Sequence, residues 1–240
     1  MSLKKIFLKS KITYKIYIYY NLYIRHKAHK KRDYYSQWGE DTFIKEYFKK
    51  KEKGFYVDIG SFHPIMYSNT CGLFDIGWSG INIDLNQTSI DLFKIIRPRD
   101  HNICAAISSK SEKKDVYFDD HFSPVNTISK SFYEASNKNI SFKNLVKKQI
   151  MTMTFSDIVK QISDIPKINF LNIDCEGHDY SILNSINLEF YNPDLICIET
   201  HDVNDKEVLD SKNIFSLLEK NNYKVIERCG PSSIFVNNKN

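Results

Sequence analysis

No run of about 20 apolar residues, the length a bilayer-spanning helix needs, occurs in this chain. The longest apolar stretch near the start, 12–24, is interrupted by Lys15. No small-residue cleavage site follows it, which argues against a secretory signal. Paired cysteines are missing too: Cys71, Cys104, Cys175, Cys197 and Cys229 are odd in number, scattered, and form no Cys-x-x-Cys. Free thiols in a reducing cytoplasm are therefore expected, with Cys104, Cys175 and Cys197 in or beside strands as small apolar residues. Glycine is scarce, at eight residues, and no G-x-G-x-x-G occurs, so a dinucleotide cradle is not expected. Finally, the first 32 residues hold no Asp or Glu.

That segment instead carries ten Lys/Arg, leaving 24 basic against 29 acidic residues in the remainder, a balance of −5. The basic character belongs to the segment and not to the domain. This excludes a nucleic-acid-binding domain and predicts a basic tail that meets something anionic. Leu8, Ile12, Ile16, Tyr19 and Tyr23 share one face at helical spacing. Two readings stand open: a helix lying on an anionic membrane surface, or one packed on its own domain or on a second subunit, as in a homodimer. Residues 25–32 read as a solvated linker.

From residue 33 on, the pattern is α/β. Phe55–Ser61, Ile81–Asp84 and Leu171–Asp174 are apolar, β-branched runs, each ending on or near an aspartate. Such runs read as buried strands of a parallel sheet, whose ligands bind outside the carboxyl ends. His101–Ile107 and Asp194–Glu199 read as two more strands. Helices are expected from about Tyr35 to Lys51, Asn69 to Asp75, Thr88 to Ile96, Phe155 to Ile162, Tyr180 to Ser185 and Asn213 to Asn221. Tyr223–Arg228 and Ser232–Val236 are joined by Cys229-Gly-Pro231, a turn short enough to require antiparallel pairing. Residues 108–150 are polar and weakly periodic, and read as an irregular insertion over the sheet's active edge that recognises substrate. Short strands are expected within and after it at Val116–Phe118 and Gln149–Thr154.

Two constellations carry chemistry. Asp58, Gly60 and Asp84 form the first. One glycine followed by Ser61-Phe62-His63-Pro64 cannot cradle a pyrophosphate, and Asp58 beside that loop repels phosphate. A cationic ligand suits it, approaching the bare Gly60 backbone closely. Asp84 is placed to accept hydrogen bonds from ribose hydroxyls. A sulfonium, a ribose and no phosphate describe S-adenosylmethionine. In the bland reading these aspartates are ordinary caps and turn residues. The second constellation is Asp174-Cys-Glu-Gly-His-Asp179 with Glu199-Thr-His201. If the two strands are neighbours, a general base for a hydroxyl or amine is expected among Asp174, Glu176 and His178. Alternatively Asp174, Glu199 and His201 ligate a divalent metal, although no compact His-x-x-x-His spacing demands one. In the bland reading Glu176 and Asp179 cap the helix after Gly177, with His178 and His201 exposed. His63, beside Pro64, reads as structural.

With these residues in view the chain resembles the FkbM family of S-adenosylmethionine-dependent methyltransferases. The matching pieces are Ser36-Gln-Trp-Gly-Glu-Asp41, Gly54-Phe-Tyr-Val-Asp-Ile-Gly60, Ser68-Asn-Thr70, Gly77-Trp-Ser-Gly-Ile-Asn-Ile-Asp84, Asn172-Ile-Asp-Cys-Glu-Gly-His178 and Ile198-Glu-Thr-His201. They cover about Tyr35 to Val236, and Asp-x-Glu-Gly-His after a strand is the most specific. The resemblance implies a class I methyltransferase (Rossmann-like) sandwich whose mostly parallel seven-stranded sheet closes with an antiparallel C-terminal strand. It implies methyl transfer to oxygen on sugars or polyketides, with amines as the other acceptor class. Phe62-His-Pro64 departs from the glycine-containing turn many members carry. The expected cofactor set is Gln37, Asp58, Gly60, Ser61, Ser68, Asn69, Thr70, Asp84, Leu85 and Ala105, with Ser68–Thr70 at a helix N-terminus near the cofactor's carboxylate. Surface-glycan precursors are the expected acceptors, modified in the cytoplasm or at the inner membrane's face. A sugar-nucleotide or nicotinamide enzyme, or a non-catalytic module on the same fold, are the rivals.

Overall fold

The computed structural model describes residues 10–25, 33–118, 122–124, 126–136, 146–202, 206–208 and 210–238. Its centre is strand β1 (Phe55–Ile59), buried along its whole length. Numbering elements in chain order, β1 lies between β2 (Ser79–Asp84) and β7 (Phe170–Ile173), parallel to both. Beyond β2 lies β3 (His101–Cys104), and beyond β7 lies β8 (Leu195–Glu199), again parallel. The sheet is completed by β10 (Ser232–Asn237), antiparallel to β8, and β9 (Tyr223–Cys229) at the edge, in the order β3-β2-β1-β7-β8-β10-β9. The expected class I methyltransferase architecture, with its antiparallel C-terminal hairpin, therefore holds.

Alternation along the strands divides the core. Phe55, Val57, Ile59, Leu171 and Ile173 face a layer that includes helices α6 (Phe155–Val159), α7 (Asp179–Ser185) and α9 (Ser211–Lys220). Tyr56, Phe170, Leu195 and Ile234 face the other way, onto Trp78, Leu73 of α3 (Cys71–Asp75), and Ile44 of α2 (Glu40–Tyr47). Each fully buried side chain of this size stabilises the fold by roughly 1.5–3 kcal/mol. Helix α6 starts with a full capping box, in which Thr154 and Asp157 satisfy each other's backbone N–H. A short helix α8 (Leu188–Tyr191) was not expected from the sequence.

Three expectations are corrected. The strand read as His101–Ile107 is two: the chain leaves the main sheet at Ala105, whose N–H still donates to the Asp84 carbonyl at 3.0 Å. It then enters a second sheet as β4 (Ala106–Ile107). Residues 108–150 are not irregular throughout, because β5 (Lys113–Phe118) and β6 (Val146–Met153) pair antiparallel and β4 joins β6 in parallel. Lysines on half-exposed strands blurred the alternation that would have revealed them. Helix α5 (Lys130–Ser136) follows β5. Third, the helix read as Asn69–Asp75 begins at Cys71, with Thr70 as its N-cap but without a side-chain capping bond.

The N-terminal segment forms helix α1 (Lys11–Tyr20), capped by Ser10 and continued by a π-helical turn over Asn21–Arg25. Tyr17, Ile18 and Leu22 are buried, and Ile18 and Leu22 pack with Leu92 of α4 (Gln87–Ile96), Phe122 and Phe62. The Tyr14 hydroxyl donates to Asp91 at 2.7 Å. Thus α1 packs on its own domain, but not through the face the spacing singled out. Ile12, Ile16, Tyr19 and Tyr23 are exposed. The segment is apolar nearly all round, and the stripe through Ile18 and Leu22 is the one used. Leu8 and residues 26–32 lie outside the described residues. No helix among the described residues is long and apolar enough to cross a membrane.

Candidate active site

A cleft of about 510 Å³, open mouth included, lies at the carboxyl ends of β1, β2 and β7. Gly60, Asp84, Leu85, Ala105, Asp174, Glu176 and His178 line it. Phe62, Ile83, Ile107 and Ile128 supply apolar surface, and Ser123, Asn126 and Thr127 polar groups. No Lys or Arg is among its described lining residues.

Gly60 has φ +81, and a Cβ there would stand 1.8 Å from the Asp174 carbonyl oxygen. The glycine is thus needed to bring the loop after β1 against the loop after β7, in addition to any ligand contact. Its N–H and that of Ser61 both donate to the Ile83 carbonyl, at 2.9 and 3.1 Å. The three loops are knitted together before anything binds.

The three strand-end aspartates differ in where they point. Asp84 is the last residue of β2 and reaches the cleft. It accepts from the backbone N–H groups of Phe62 at 2.8 Å and Asn86 at 2.6 Å, one on each oxygen. A carboxylate accepts about four bonds, so capacity remains for a ligand. Burial pushes Asp84 up to about 6 against those bonds. Asp174 follows the end of β7 and is exposed at the cleft mouth. Enclosure by the cleft walls, then the neighbouring Asp179 and Glu40 carboxylates, raise it to about 7.

Asp58 behaves otherwise. It is the fourth residue of β1, and strand parity turns it onto the sheet face, in register with Asn82 and Asn172. It accepts from the Thr70 hydroxyl at 2.6 Å and the Asn172 amide at 2.9 Å. Asn69 donates to Asn172, and Arg97 donates to Thr70 at 2.7 Å and to Ser68 at 2.8 Å. Arg97 also donates twice to the Pro64 carbonyl and lies over the Phe93 ring at 4.9 Å. Asp58, Ser68 and Thr70 are therefore bonded in a buried network and are not among the described residues that line the cleft. Asn69 belongs to the same network. Ser61 is buried, with its N–H and hydroxyl on the Ile83 carbonyl, and Gln37 is exposed in the turn before α2. That turn, Ser36–Asp41, is held by Asp41 accepting from the N–H groups of Tyr35 and Ser36. His63 is fully buried, its Nδ1 accepting from the N–H groups of Ile65 and Met66. It is structural, as expected.

The loop after β7 is shaped by Asp179, which accepts from Cys175 N–H at 2.7 Å and Gly177 N–H at 3.1 Å. Asp179 therefore ties the loop and does not cap the helix as expected: it is the first residue of α7, whose N-cap His178 makes no side-chain capping bond. Glu176 instead lines the cleft, at φ 51. Burial, then Asp174 and Asp179, push its carboxyl well above the usual range. His178 is not simply exposed: its Nε2 lies 3.0 Å from the Ser108 hydroxyl, which in turn accepts from Lys114 at 3.1 Å. Burial, then Lys114, lower His178 to about 4, leaving it neutral at pH 7.

The metal alternative is not supported. Among the described residues no three His, Cys, Asp or Glu side chains are gathered as a metal requires. His201 Nδ1 is 2.8 Å from the Thr200 hydroxyl, and its backbone pairs with Glu207, away from the cleft lining. Burial and the surrounding carboxylates, Asp174 first, push Glu199 up to about 10.

Sequence reasoning missed the clasp over the cleft. Asn126 donates to Asn86 at 2.5 Å, and Thr127 donates to the Glu176 carbonyl at 3.0 Å. It also missed Arg97, Ser108 and Lys114. None has a local signature, since each acquires its role from a partner distant in sequence.

The sheet order, the hairpin and a ligand cleft at β1 and β2 define a class I methyltransferase fold. The Methyltransferase FkbM domain matches residues 58–225, and the chain belongs to that family. No curated protein and no solved structure matches it.

Proposed function

We propose that this chain is an S-adenosylmethionine-dependent O-methyltransferase acting on a hydroxyl of a small molecule or sugar, such as a surface-glycan precursor. Family membership supports methyl transfer in general. The cofactor reading rests on one observation: Asp84, Asp174 and Glu176 line a cleft with no described Lys or Arg. Such a lining favours a cation and disfavours a pyrophosphate, which counts against the sugar-nucleotide and nicotinamide rivals. When bound, S-adenosylmethionine supplies an electrophilic methyl group on a sulfonium.

In this reading Asp84 accepts from the ribose, while Ile83, Leu85, Ala105 and Ile107 form the shelf beneath the base. Asp174 is the base that takes the acceptor hydroxyl's proton, because a raised carboxyl near neutrality matches that task. His178, neutral and fixed by Ser108, orients the acceptor. The polar groups of Ser123, Asn126 and Thr127 suit a polyhydroxylated acceptor. Alignment supplies most of the rate in an in-line transfer. The same acidic lining gives an ammonium-bearing acceptor a claim, so N-methylation is the second reading.

Calorimetric titration with S-adenosylmethionine and its demethylated product tests the cofactor. Micromolar binding is expected, and absence of binding to either would overturn the proposal. NMR of the methylated product from a panel of sugars and amines then separates oxygen from nitrogen transfer.

A further inference from the structure

We infer that the outer face of α1 docks the protein on an anionic membrane surface. Ile12, Ile16, Tyr19, Tyr20, Tyr23 and Ile24 form one exposed apolar face around Lys15, with Ile12 76% and Ile24 67% exposed. Scattered exposed apolar residues are ordinary, but a contiguous set on one helix is a contact surface. The opposite face is already used: Ile18 and Leu22 are buried against Leu92 and Phe122, and Tyr14 is tied to Asp91. A helix held on one side by protein cannot be surrounded by lipid. The ten-residue helix and its five-residue π-helical turn also span at most about 22 Å, short of the roughly 30 Å hydrocarbon core. The geometry admits a helix lying in the plane of the interface, with isoleucines inserted and tyrosines at headgroup depth.

Charge selects the occupant. Residues 1–32 carry ten Lys/Arg and no acid, while the rest of the chain is net acidic. Anionic lipid attracts such a segment, through each basic residue that comes close to the surface. A second copy of the chain is the poorer occupant, because a two-fold pair would set two of these cationic segments against each other. Phe62 belongs both to the cluster beneath α1 and to the cleft lining, so the docking helix and the cleft share a wall. This inference does not depend on which methyl acceptor the cleft takes.

The test is sedimentation of the full chain with phosphatidylcholine vesicles, with and without phosphatidylglycerol, alongside light-scattering measurement of its mass. Wild type is expected to bind the anionic vesicles at least about tenfold better than the neutral ones, and less well as salt rises. The double variant Ile16→Glu, Ile24→Glu alters only exposed side chains; it should lose that binding and keep its Tm. No binding to either vesicle, or equal binding to both, overturns the inference even if the variant misfolds. So does a wild-type dimer that the double variant dissolves, which would make a second copy the occupant.

Discussion

Two groups of carboxylates lie in or next to the strands of one sheet and meet opposite fates. Asp58 and Asp100 share the charge of buried Arg97 and have a full set of donors: Asp58 has Thr70 and Asn172, and Asp100 has Tyr56, Asn82 and the Gly80 N–H. Burial opposes the charge on Arg97, but the nearby Asp58 and Asp100 carboxylates favour it, and the guanidinium stays protonated. Asp174, Glu176 and Asp84 line a cleft without any described cation beside them. A buried charge that is paired and fully hydrogen-bonded serves the fold, whereas clustered acids lacking a counter-charge are an arrangement expected of a ligand site.

Changing one member on each side probes that contrast. Arg97→Met leaves Asp58 and Asp100 buried without their cation and should cost about 3–5 kcal/mol, read by urea unfolding. A loss under about 1 kcal/mol would make the network less important than its geometry implies. Asp174→Asn should do the reverse: fold at least as well as wild type while turnover falls by roughly 10²–10⁴-fold. The pH profile sharpens this, since the limb of kcat/KM near pH 7 should disappear in Asp174→Asn. If the limb survives, the base is elsewhere. Asp84→Ala should weaken cofactor binding by about 10–100-fold, the worth of one charge-assisted hydrogen bond, measured by calorimetry.

A subtler effect concerns stability and pH. Asp174 is raised from 3.8 to about 7, so the folded chain binds that proton more tightly than the unfolded chain. Its stabilising contribution is therefore present below about pH 4 and lost as pH rises through about 7. The Tm of Asp174→Asn should accordingly match wild type at pH 4 and exceed it at pH 8. The smallest effect is expected outside the cleft lining: His201→Ala, or EDTA on wild type, should change cofactor affinity by less than about twofold, given a single exposed or partly screened contact at most.

Much of the fold was legible because its signals are local. Val57 and Ile59, Ile81 and Ile83, Leu171 and Ile173 mark strands by composition and alternation, and the turn at Gly230-Pro231 permits only a hairpin. The site was legible in part. Gly60, Asp84 and Asp174 reach the cleft from strand ends recognisable in sequence, and Glu176-Gly-His178 came with the motif. Ser68, Thr70 and Asp58 carried the same kind of signal yet lie in the network around Arg97, because nothing local distinguishes a carboxylate or hydroxyl awaiting a ligand from one already bonded. The insertion was hardest, since half-exposed strands such as β5 and β6 tolerate lysine at positions that would otherwise show a clean alternation.

The sequence by itself determined the α/β class, the strand ends where a ligand would sit, and a basic, apolar first helix. Hydrophobic period and turn chemistry act between residues close in the chain, and so are written there directly. Only the tertiary structure decided which acids face the cleft and which face Arg97, which stripe of α1 is buried, and that Ser108 fixes His178. Those outcomes depend on register and on partners far apart in sequence: a shift of one position turns a side chain to the opposite face of the sheet.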